Sequence, residues 1–166
     1  MAITDVYTSP TQGKLTPSQL IDTITGFLYQ DPAAFYRLVI GTDSQERRLN
    51  GVKLCNFVTA VVVHKVGKGG RYFWTNGRRE KIHSMRQKIY TETLLSLETA
   101  GKLVPQLRQS LNGNHNWELE IHIDVGSIGD TRDMIKEVVG MVIGNGYKAK
   151  TKPDSYAATT VADRHA

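Results

Sequence analysis

Ile40-Gly41-Thr42-Asp43-Ser44-Gln45 closes an apolar run, Leu38-Val39-Ile40, that reads as a buried β-strand. Asp43 falls at the strand's carboxyl end, the side on which an α/β sheet opens its crevice. A carboxylate buried there alone is unfavourable, whereas one that holds a divalent cation is useful. Asp-Ser is also ordinary turn chemistry. The weight of Asp43 therefore depends on which other acids the chain can bring to it.

Upstream, Thr16-Pro17-Ser18 opens a helix, with Thr16 as cap and Pro17 at the first helical position. Leu20, Ile21, Ile24, Phe27 and Leu28 follow at helical spacing, and Asp31-Pro32 ends it. Phe35 to Asp43 is the first strand. Asn50-Gly51 turns the chain into a second strand, Lys53 to Val66. Gly67-Lys68-Gly69-Gly70 turns it again, into a third strand over Arg71 to Thr75. Short turns between consecutive strands imply an antiparallel meander.

A helix capped by Ser84 runs from there to Leu97 or beyond, with Pro105 and Asn112-Gly113-Asn114 closing the region. Trp117 to Asp124 alternates as a fourth strand: Trp117, Leu119, Ile121 and Ile123 face one way, Glu118, Glu120, His122 and Asp124 the other. Asp130-Thr131-Arg132 caps a helix carrying Met134, Ile135, Val138, Val139, Met141 and Val142, which stops at Gly144-Asn145-Gly146. Tyr147 to Thr151 is a short fifth strand, and Asp154 or Ser155 starts a last helix through about Arg164. A helical crossover returns the chain to a strand parallel to the first. The pattern predicts a five-stranded mixed sheet with helices on its faces.

The 166 residues suit one domain with a real core, spanning 1–166. No stretch approaches a membrane span, and Met1 to Gln12 lacks a signal pattern. The lone cysteine, Cys55, reads as a small buried hydrophobe, and the cytoplasm is the default compartment. The net charge of +5 is unevenly placed: Lys65 to Lys88 holds eight basic residues against Glu80, a local +7. Tyr72, Phe73 and Trp74 interleave that run. Lys68, Arg71, Trp74, Arg78 and Arg79 are the residues expected to contact nucleic acid, although charge runs are commonly only solvated faces.

If the first and fourth strands are neighbours and parallel, Asp43 and Asp124 stand across a gap of about 4.8 Å. Two like charges that close are unfavourable unless a cation lies between them. Glu92 is the third acid. A helical wheel sets it near Met85, Ile89, Ser96 and Leu103, away from the wet face of Gln87, Thr91, Glu98 and Lys102. Asp163 is the fourth, sharing a helical face with Tyr156, Thr159 and Thr160. Asp154, nine residues earlier, lies about 180° away on a helix and reads as a helix start.

Ser9-Pro10-Thr11-Gln12-Gly13-Lys14, Ile40 to Gln45, His122-Ile123-Asp124-Val125-Gly126, Thr131-Arg132 with Val138-Val139-Gly140-Met141-Val142, and Lys152-Pro153-Asp154-Ser155-Tyr156-Ala157-Ala158 through Val161-Ala162-Asp163-Arg164 follow one another in a specific order and spacing. In this the chain resembles the ribonuclease H-like proteins of the YkuK type, over nearly its whole length. The resemblance implies a ribonuclease H-like α/β fold with strand order 3-2-1-4-5, strand 2 antiparallel, and an extra N-terminal helix. It also implies that Asp43, Glu92, Asp124 and Asp163 are catalytic metal ligands. They would hold two Mg²⁺ or Mn²⁺ ions that hydrolyse RNA or DNA phosphodiesters. Oxygen-only ligands suit such ions, and no Cys/His cluster suggests zinc. His122 and His165 could shuttle protons, but packed or surface roles are the more ordinary ones.

The basic-aromatic run would equally serve a catalytically inactive nucleic-acid-binding module of the same fold. Four intact acids favour the nuclease, because they repel phosphate unless metal is bound. A nucleotide-binding switch resembling actin-like ATPases needs a second lobe that one domain of this size lacks. A purely structural partner-binding protein would not respond to metal.

Overall fold

The computed structural model describes residues 5–113, 116–126 and 132–166, apart from the side chains of residues 78 and 79. In chain order the elements are β1 (Tyr7–Ser9), β2 (Gly13–Leu15), α1 (Pro17–Tyr29), β3 (Phe35–Leu49), β4 (Val52–Lys65), β5 (Gly69–Lys81), α2 (Met85–Leu111) and β6 (Asn116–His122). A 3₁₀ turn over Arg132–Met134 leads into α3 (Ile135–Gly144), followed by β7 (Lys148–Lys150). The last helix, α4, is π-wound over Ala157–Ala162 and α-helical over Asp163–His165.

One sheet of seven strands runs β2-β1-β5-β4-β3-β6-β7. Within it the five expected strands keep the order 3-2-1-4-5: β4 is antiparallel to β3 and to β5, while β6 is parallel to β3 and β7 to β6. The strand count is corrected from five to seven by the hairpin β1–β2, which adds to the β5 edge through Thr8 and Trp74.

Alternation along the strands builds a core on each sheet face. On one face Tyr36, Leu38, Ile40, Val61, Val63, Phe73, Leu119 and Ile121 pack beneath α1, α2 and α3. On the other, Val39, Val58, Ala60 and Val62 lie under Ala157, Ala162 and Val161 of α4. Thr16 caps α1 in a reciprocal capping box with Gln19 three residues on, and Pro17 takes the first helical position. Cys55 is buried. Among the described residues no helix is long and apolar enough to cross a membrane.

Two boundaries differ from expectation. Pro105 lies inside α2, which continues to Asn112, a left-handed cap. Leu103, Val104, Leu107 and Leu111 are all buried, so packing of this face outweighs the backbone bond that proline removes. The first strand does not stop at Asp43. It runs on to Leu49, paired throughout with β4, and β5 is correspondingly longer than Arg71 to Thr75. A three-stranded arm therefore extends beyond the core. The Asp130-Thr131 cap expected before α3 lies outside the described residues.

Candidate active site

β6 ends at His122, where it pairs with Gly41, while β3 continues. Extending that register by two residues sets Asp43 opposite Asp124. The crevice thus opens where the neighbouring strand stops, with Asp43 in mid-strand rather than at a strand end.

Side chains alternate around Asp43. Thr42 turns toward α2, where its hydroxyl bonds Thr59 Oγ1 at 2.9 Å and Ser96 Oγ at 2.7 Å. Gly41, Asp43 and Gln45 turn toward α4. A Cβ on Gly41 would lie 2.5 Å from Ala158 N and 2.8 Å from Ala157 C, so α4 can reach the strand only because residue 41 has no side chain. That close approach brings Asp163 to Gln45, whose Nε2 donates to Asp163 Oδ1 at 3.3 Å.

Asp43 is buried, and Ser44 N–H donates to its Oδ1 at 2.9 Å. Burial pushes its carboxyl up to about 7 against the pull of that N–H, with Asp163 and Asp124 adding to the rise. Glu92, on α2, is 5 % exposed. Burial, then the charge of Asp43, holds it well above the carboxylate range; Asp124 adds to this and Lys88 opposes it. Glu92 Oε2 and Ser44 Oγ are both buried with no hydrogen bond of good geometry, and the contact of the Ser44 hydroxyl with the Glu92 carboxyl only partly opposes the rise. The acids thus act on one another through charge. Even so, among the described residues no three Asp, Glu, His or Cys side chains stand close enough together to cage one ion.

The ribonuclease H-like family model matches residues 19–166. The chain belongs to that family. It is 34 % identical over 173 residues to the uncharacterized protein YkuK of Bacillus subtilis (strain 168), covering 99 % of this chain and 98 % of that one. No solved structure matches it significantly.

Within this ribonuclease H-like chain His122 belongs to the scaffold. Its Nδ1 accepts Ala157 N–H at 3.2 Å, so the ring proton sits on Nε2, 3.1 Å from Glu120 Oε1. Burial lowers its basicity, and Tyr156 packs edge-on against the ring. Asp154 lies exposed in the turn before α4, its N–H bonded to Thr151 O. Lys152, which sequence reasoning passed over, has its Nζ 2.9 Å from Asp124 Oδ1. A lysine just past a short strand reads as ordinary surface, and only the β6–β7 pairing reveals its neighbour.

The basic-aromatic ribbon is divided by strand alternation and by the length of β5. Phe73 is a core residue at 2 % exposure. Tyr72 and Trp74 lie on the α4 face, and Trp74 stacks on His165 at 3.7 Å with the ring planes 4° apart. Trp74 is therefore not a bare platform for bases. Arg71 pairs with Val63 and packs over the Phe27 ring, and Lys68 lies 3.9 Å from Asp31. Both are at the amino end of β3, whereas Asp43 is level with Val58 and Asn76. The five residue steps from Arg71 to Asn76 span about 17 Å. Arg78 and Arg79 fall on the arm beyond Asn76, with side chains outside the described residues. On the Asp43 face of the same arm, register and alternation align Gln45, Asn56, Arg47, Leu54 and Lys81. Arg47 and Lys81 are exposed there.

Proposed function

We propose that this protein is a divalent-metal-dependent nuclease acting on RNA or DNA phosphodiesters. The observation that carries the reading is Glu92, a buried carboxyl on which the charges of Asp43 and Asp124 outweigh the opposing pull of Lys88 and Ser44. A buried acid among acids calls for a cation. The donors are all oxygens, which fits Mg²⁺ or Mn²⁺. Asp43, Glu92, Asp124 and Asp163 would hold the metal.

Two such ions, when bound, supply an activated water and stabilise the leaving 3′-oxygen. The chain's own groups orient the acids. Ser44 N–H holds Asp43, Gln45 holds Asp163, and the hydroxyl ladder Thr59–Thr42–Ser96 fixes β3 against the helix that carries Glu92. Arg47 and Lys81 extend positive charge along the arm from the acids, where a phosphate backbone would lie.

A second reading, an inactive nucleic-acid-binding module, draws on the lack of a ready three-acid cage among the described residues. A metal titration separates the two. On the nuclease reading Mn²⁺ or Mg²⁺ raises the melting temperature of the wild type by mass action, and Asp43→Asn or Asp124→Asn weakens the response. Equal shifts in all three proteins would show that metal binds elsewhere.

A further inference from the structure

Lys152 has no part in the four-acid reading, yet its ammonium stands among those acids. The backbone builds its position. Ile123 N–H donates to Lys150 O at 2.9 Å and Lys152 N–H to Val125 O at 2.8 Å, so the pairing of β6 with β7 continues past both strand ends. The lysine stem then lies along Gly126, where an added Cβ would come 3.4 Å from Lys152 Cβ and 3.5 Å from its Cδ. From there Nζ reaches Asp124 Oδ1 at 2.9 Å.

An ordinary surface ion pair joins one acid to one base. Lys152 also feels the charges of Asp43 and Glu92. Its side chain is 53 % exposed against 21 % for Asp124, so the ammonium approaches from the solvent side. The contact with Asp124 is the largest influence on the ammonium, and the charges of Asp43 and Glu92 come after it. One monovalent ammonium on a flexible stem offsets only part of the negative charge that the cluster can carry. A divalent ion would compensate more of it, and Lys152 could swing out to make room.

We propose that Lys152 is the acids' own counter-ion, that a divalent cation displaces it from Asp124, and that Lys152 thereby sets the metal affinity of the site. This rests on the metal reading above. Lys152 acts here as a positioning residue, through the acids rather than on the substrate.

The test is a Mn²⁺ titration of the full chain at low salt, following loss of the free-ion electron paramagnetic resonance signal, in wild type, Lys152→Met and Lys152→Arg. Lys152→Met should bind Mn²⁺ several-fold tighter, on the order of fivefold, the size of one half-exposed ion pair. Without metal it should melt lower than wild type, and Lys152→Arg should restore both values. Equal or weaker Mn²⁺ binding by Lys152→Met, even with a lower melting temperature, overturns the proposal and leaves the metal reading standing. Depletion of the signal by Lys152→Met but not by wild type supports both. No depletion by any of the three proteins removes the metal reading and this proposal together.

Discussion

Asp43 and Glu92 occupy places that favour their neutral forms. For Asp43 the carboxyl rises from 3.8 to about 7, and Glu92 moves in the same direction. An acid whose folded value is raised contributes stability that is complete below its unfolded value. That contribution is lost as pH climbs through the folded one. With chelator present the melting temperature should therefore fall between about pH 4 and about 7. Asp43→Asn should flatten the fall, and an unchanged pH profile in that variant would show that Asp43 is not the titrating group. Asp43 and Glu92 were legible as candidates because strand and helix periodicity assign each side chain a direction. Lys152 was not, because its partner is set by strand pairing across the sheet.

At the scale of elements, α4 decides whether Asp163 reaches Asp43. Small residues carry it: Ala157, Ala158 and Ala162 are fully buried, and Gly41 lies beneath them. Gly41→Ala sets a methyl against α4 backbone and should cost about 1–3 kcal/mol in urea denaturation. It should also weaken the metal-induced rise in melting temperature, since α4 carries Asp163. Wild-type stability in that variant would contradict the close packing. The helix itself was foreseen through about Arg164, but not its π-winding, which no apolar spacing encodes. The β1–β2 hairpin escaped for a related reason. Tyr-Thr-Ser and Gly-Lys-Leu are too short to show a period, and the strands exist through their pairing. Past Pro105, the local rule for proline was outweighed by burial of the next two turns of α2.

Across the whole molecule, positive charge meets the acids on the arm rather than along one continuous ribbon. Lys68 and Arg71 lie at the far end of the sheet, tied to Asp31 and Phe27. Replacing both Arg47 and Lys81 by Ala should weaken nucleic-acid binding and flatten its salt slope by up to about two phosphate contacts. The pair Lys68→Ala and Arg71→Ala should do less. A larger effect from the second pair would move the binding surface to the other end of the sheet. Charge and composition led the sequence reading to expect a polyanion partner. Which cations share a face with the acids depended on how far β3, β4 and β5 run beyond the core. The central claim is that the four acids cleave phosphodiesters, and cleavage reads it most directly. Wild type and Asp43→Asn should be given labelled RNA, DNA and hybrid substrates at low salt, with and without Mn²⁺. The account predicts cleavage of at least one substrate by wild type only when Mn²⁺ is present, and by Asp43→Asn not at all, with binding largely retained. Binding without cleavage by wild type under any metal would contradict it.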